Sequence, residues 1–129
     1  MKFLSAIFIT LLCIADGFSQ QVFSTKEPFA HTYSIVARDT ITGEMGVAVQ
    51  SNWFSVGSLV TWGKAGVGVV ATQSFINPSF GPRGLSLLEN GLTPELAVKT
   101  LLALDEGREV RQLAILDAKG NVEAFTGAN

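Results

Sequence analysis

From His31 onward the apolar and polar positions of the chain fall into short, regular periods. Tyr33-Ser34-Ile35-Val36-Ala37-Arg38 alternates and is rich in β-branched residues, and Met45-Gly46-Val47-Ala48-Val49-Gln50 alternates again. Together with the Thr42-Gly43 break, these runs predict an antiparallel hairpin with a short loop. In the second strand Met45, Val47 and Val49 share one face, while Gly46 and Ala48 leave the other so small that a further layer, or a substrate, can approach it closely. Ser51 to Lys64 carries Trp53, Phe54, Val56 and Trp62 around Gly57 and Gly63, a pattern that predicts a loop with a short strand. Gly66 to Ser74 is an unbroken run without a charge, as expected of a strand covered on both faces.

The period then lengthens. Pro82 suits a first helical position and Gly91 a residue past the last turn, bracketing a short helix with Leu85 and Leu88 three apart. Thr93 predicts the cap of a second helix, with Pro94 at its first position, Glu95 complementing the dipole, and a buried stripe of Ala97, Leu101 and Leu104. Gly107 ends it. Val110 to Asp117 alternates as a strand, Ala118 to Asn121 turns, and Val122 to Thr126 pairs back. Strands followed by helices and then strands indicate an α+β layered fold with an antiparallel sheet. A doubly covered strand needs more layers than one sheet and one set of helices. Either a second sheet from further sequence or a partner subunit supplies them, which leaves homo-oligomerisation open.

The first thirty residues stand apart. Lys2, the apolar stretch Phe3 to Ala15, and Gly17 and Ser19 read as the charged, apolar and cleavage regions of a signal peptide spanning residues 1–19. The stretch is too short to cross roughly 30 Å of hydrocarbon as a helix, so no membrane anchor is expected after cleavage and the expected location is secreted or periplasmic. Cleavage before Gln20 also removes the only cysteine, Cys13, so packing alone must stabilise the exported chain. Residues 20–30 read as an extended lead-in, and residues 31–129 as one domain.

Composition narrows the function. With 129 residues, 47% hydrophobic and 16% charged, and a mean hydropathy of +0.36, the chain suits one packed domain. A formal net charge of −2 offers no basic field for a phosphate backbone, so nucleic-acid binding is not expected. The single histidine, His31, and carboxylates scattered at turns and helix ends form no metal-ligand pattern. No serine lies in a G-x-S-x-G setting, and the glycines before the third strand run in the reverse order of a phosphate-binding loop. No cofactor is implied.

What remains is a hydroxyl at the start of the first strand, Thr32, which shares a strand face with Ser34. As a free N-terminus, its own α-amine, with a pKa of about 7.7 to 8.0, would accept the hydroxyl proton and make Oγ a nucleophile without a histidine. Lys64 or Arg38 are the candidate cations to keep that amine neutral, and Gln73, Asn77 or Asn52 the candidate side-chain donors to a developing oxyanion. Ser51 is a further candidate for the same site. Asp39 is expected to bond turn backbone, and Arg111 to pair with a carboxylate such as Glu123.

The segments Thr32 to Asp39, Thr42 to Ser51, Ala65 to Ser74, Asn77 to Gly81, Arg111-Gln112 and Asp117 to Asn121 together resemble the domain of unknown function 1028 family, which is grouped by fold with the N-terminal-nucleophile (Ntn) hydrolases. The resemblance runs from about His31 to Asn129. It implies an αββα four-layer sandwich, two antiparallel sheets between helical layers, of which this chain would hold the N-terminal half. It also implies Thr32 as nucleophile, since many members begin Met-Thr. Here Gln20 to His31 precede Thr32 after signal cleavage, so a free Thr32 amine requires a second cut between His31 and Thr32. The function expected is a secreted amidohydrolase acting on a small-molecule or peptide amide, with Thr32, Ser34 and Lys64 catalytic and Ser51, Gln73, Asn77 and Arg38 binding substrate. The alternative is a non-catalytic secreted domain that uses the same fold to bind cell-wall or peptide material.

Overall fold

A computed structural model describes residues 31–129; the expected signal peptide and lead-in lie outside the described residues. Six strands and three helices form a mixed α/β domain with two antiparallel sheets. Strands β1 (Tyr33–Arg38) and β2 (Met45–Gln50) make the smaller sheet, with Ser34 opposite Val49 and Val36 opposite Val47. The larger sheet has the order β3 (Thr61–Lys64), β4 (Gly68–Ser74), β5 (Arg111–Asp117), β6 (Val122–Thr126). Every neighbouring pair in it is antiparallel.

The hairpin turn forms as its residues require. Gly43 takes φ +77°, and Asp39 Oδ1 accepts from the backbone N–H of Ile41 at 2.7 Å and of Thr42 at 2.9 Å. Between β2 and β3 the structure adds a single-turn helix that the glycine punctuation concealed, α1 (Gly57–Val60). Helix α2 (Phe80–Glu89) starts two residues before Pro82, which sits in the first turn where its missing N–H has no intrahelical acceptor to lose. Helix α3 (Pro94–Ala103) begins as expected, with the Thr93 hydroxyl accepting from the Leu96 N–H at 3.3 Å. It stops before Leu104, which is 86% exposed, and a 3-10 turn at Arg108–Val110 leads into β5. The buried side of α3 is therefore Ala97, Val98, Leu101 and Leu102 rather than a stripe ending at Leu104.

The core lies between the helices and one face of the larger sheet. Val70, Leu113 and Ile115 from the strands meet Phe80, Leu85, Ala97 and Leu101 from α2 and α3, each large apolar side chain contributing about 1.5–3 kcal/mol by leaving water. The other face of β4 is covered by the β1–β2 sheet, so Val69 and Ala71 are buried as well. Strand β4 is thus covered twice, as expected, but the second layer is the chain's own β1–β2 sheet and not the further sequence or partner subunit that was expected. Layers run helices, larger sheet, smaller sheet. The outward face of the smaller sheet, with Tyr33 62% and Ile35 57% exposed, carries no further layer among the described residues.

Candidate functional site

Strand direction brings the candidate residues to one end of the two sheets. Thr32 precedes β1 and Ser51 follows β2, and because the two strands are antiparallel these residues are neighbours. The Thr32 Oγ1 lies 2.7 Å from Ser51 Oγ, which also accepts from the Trp53 N–H at 3.0 Å. Asn52 Oδ1 is 3.5 Å from the Thr32 hydroxyl. Thr32 is exposed and begins a cleft of about 270 Å³. Its polar lining is Thr32, Tyr33, Ser34, Gln73, Gln112 and Thr126, and its apolar floor includes Ala71, Ala114 and Ala124.

The cleft exists because the smaller sheet is too narrow for the larger. Strands β1 and β2 pack over β3, β4 and the near side of β5, and leave Gln112, Ala124 and Thr126 exposed beside the start of β1. Register then aligns the polar row: Gln73 pairs with Gln112, and Gln112 with Thr126. The alanine pairs Ala71–Ala114 and Ala114–Ala124 lie one step along the same face. Gln73 is 5% exposed, and its Nε2 has no hydrogen-bond partner.

Of the expected site residues the fold gathers Thr32, Ser34, Ser51 and Gln73. Lys64 is not among them. It lies on the helix-facing side of β3, where its ammonium pairs with Glu89 at 2.6 Å, because alternation puts Trp62 and Lys64 on the face opposite Thr61 and Gly63. Arg38 ends the same strand that Thr32 begins, roughly 20 Å away along an extended chain, and its Nε donates to the Ala118 carbonyl at 3.1 Å. Asn77 leaves the end of β4 but turns its Oδ1 to the Ser79 N–H and hydroxyl at 3.2 and 2.8 Å. Arg111 pairs with Asp105, at 2.9 Å, rather than with Glu123. Gln112, Thr126, Ala114 and Ala124 line the same cleft without having been expected there. Alternation would have offered them, but only the pairing register shows which row lies beside Thr32.

Two loops leave the same end of the sheets. After β2 they expose Trp53 at 74% and Phe54 at 99%, and after β4 Phe75 at 73%. Two non-glycine residues lie in the left-handed region, Ser55 in the first loop at φ 53° and Ser74, the last residue of β4, at φ 66°, a costly conformation that the surrounding contacts must enforce. Arg111 fixes the second loop by donating through Nη1 to the Phe75 carbonyl while its Nε and Nη2 hold Asp105. Among the described residues no three His, Cys, Asp or Glu side chains gather as a metal site, and no helix is long and apolar enough to cross a membrane.

Comparison with known proteins decides the family. The family model described as "Family of unknown function (DUF1028)" matches residues 32–129. The chain belongs to the DUF1028 family. Among solved structures it is similar to the crystal structure of a DUF1028 protein from Silicibacter pomeroyi, at 38% identity and a TM-score of 0.73. That match covers 76% of this chain and 46% of the other, so this DUF1028 chain spans under half the length of that relative. No curated protein matches it.

Proposed function

We propose that this chain is an exported amidohydrolase-like protein of the N-terminal-nucleophile type, with Thr32 attacking an amide carbonyl and its own α-amine as base. In that reaction the Thr32 hydroxyl proton passes to the α-amine as the Oγ–C bond forms. The amine returns it to the leaving nitrogen as the C–N bond breaks, and water then hydrolyses the ester left on Thr32.

The observation that carries the reading is the 2.7 Å hydrogen bond between Thr32 and Ser51 at the mouth of the cleft. A hydroxyl nucleophile needs a fixed orientation beside a space where a carbonyl can sit, and Thr32 meets both conditions. Two stacked antiparallel sheets with helices on one outer side are also what one half of an αββα sandwich would look like. Export rests on the charged, apolar and small-residue order of residues 1–19. With Lys64 and Arg38 engaged elsewhere, the amine would act near its ordinary pKa of about 7.7–8.0, so the rate is predicted to rise with pH through that range.

The test is amine release from a panel of short acyl amides by the secreted protein and by two variants. Thr32→Ala is expected to lower the rate by at least roughly a thousandfold, and Thr32→Ser to retain part of it. Equal rates for wild type and Thr32→Ala would overturn the reading. A second reading, a binding domain without catalysis, is favoured by one observation: no residue lining the cleft carries a charge that could tune an amine. Saturable binding without turnover by protein that begins at Thr32 would support it instead.

A further inference from the structure

Among the described residues, the buried polar side-chain atoms that lack a partner are Trp62 Nε1, Thr72 Oγ1 and Gln73 Nε2. Trp62 and Thr72 fall on the helix-facing side of the larger sheet, in register with Val70 and Leu113 of the core. Gln73 alternates to the opposite side and lines the cleft that Thr32 begins. Buried amide groups are almost always paired, and a donor left unpaired carries the full cost of its lost hydration. A ligand oxygen that reached Gln73 Nε2 from the cleft would remove that cost.

The rest of the cleft restricts what can carry that oxygen. Its other polar side chains, those of Thr32, Ser34, Gln112 and Thr126, are neutral. No side chain lining the cleft is charged, so a carboxylate or ammonium entering beside Gln73 would leave water without meeting an opposite charge when the Thr32 amine is in the neutral form it needs as base. The floor of Ala71, Ala114 and Ala124 offers a small apolar surface, and about 270 Å³ lies just below the roughly 300–1,000 Å³ usual for drug-sized ligands.

We propose that the cleft selects an uncharged acyl group about the size of one amino-acid residue, and that the Gln73 side-chain N–H donates to a carbonyl oxygen of that group. The inference deepens the proposed function and rests on its reading of the cleft beside Thr32 as the substrate site. Gln73 is then the residue that sets specificity, and acidic or basic acyl groups of the same size are excluded by charge rather than by shape.

The test uses the full chain carrying Thr32→Ala, titrated by ¹⁵N NMR with N-acetyl-alanine methylamide and, separately, with N-acetyl-alanine, its anionic analogue of similar size. The neutral probe is expected to shift the Gln73 side-chain amide signal saturably, and the anionic probe to bind at least about tenfold more weakly. Gln73→Leu should weaken the neutral probe on the order of tenfold. Absence of neutral-probe binding, equal binding of the two probes, or a folded Gln73→Leu chain that binds the neutral probe unchanged overturns the proposal. Should Gln73→Leu fail to fold, the Gln73 signal decides: unmoved at saturating neutral probe, it overturns the proposal. None of these readouts needs turnover, so a failed titration and a failed hydrolysis assay are separate results.

Discussion

Arg111 shows how much one side chain can hold at the rim of this site. Its guanidinium donates from Nε to Asp105 Oδ2 at 2.9 Å and from Nη2 to Asp105 Oδ1 at 3.3 Å, and Nη1 reaches the carbonyl of Phe75. The two side chains are only 18% and 11% exposed, so removing one partner strands the other in poor solvent. Arg111→Ala is predicted to cost about 2–3 kcal/mol in denaturant unfolding. The hydrogen bond from Arg111, aided by the Gly107 N–H, holds the Asp105 carboxyl below its usual range despite burial. A carboxyl lowered in the folded state contributes stability that is complete above its unfolded pKa of about 3.9 and lost as pH falls through the folded value. Unfolding of Asp105→Asn is therefore predicted to lose less stability between about pH 5 and pH 2 than wild type does. Lys64 gives the opposite case. Its pair with Glu89 is half exposed on both sides, and Lys64→Ala should change stability by no more than about 0.5 kcal/mol and leave any amide hydrolysis intact.

Helix α2 is seated by its small residues. A Cβ on Gly81 would overlap the Trp62 indole, and one on Gly84 would press on Ile115 and Val70 at 3.2 and 3.3 Å. Gly81→Ala is predicted to destabilise by about 1–3 kcal/mol in thermal unfolding. The same contact explains what the sequence could and could not tell. Strands β1, β2, β4 and β6 and the cap of α3 were legible, because alternation, Thr42-Gly43 and Thr93-Pro94 are local signals. The true start of α2 and the single turn of α1 were not, because tertiary packing of Phe80, Gly81 and Val60 decides them. Thr32, Ser34, Ser51 and Gln73 were not legible as a set apart from Asn77, Lys64 and Arg38, because alternation marks strand faces and ends but not which of them are neighbours. Lys64 and Arg38 could not be separated from the site until register fixed their faces and ends.

Over the whole molecule, burial is uneven. Strands β4 and β5 lie between the helices and the smaller sheet, whereas β1 and β2 keep one face open to solvent. Amide hydrogen exchange is therefore predicted to be slowest in Val69–Thr72 and Leu113–Leu116, and at least about tenfold faster in β1 and β2. That gradient matters to function, since the proposed nucleophile begins the less protected sheet while its cleft partner Gln73 belongs to the more protected one. Whether Thr32 acts through its own amine can be read from the intact mass of secreted protein that hydrolyses an amide. The mass expected is that of a chain beginning at Thr32. Hydrolytically active protein whose mass still includes Gln20 to His31 would contradict it.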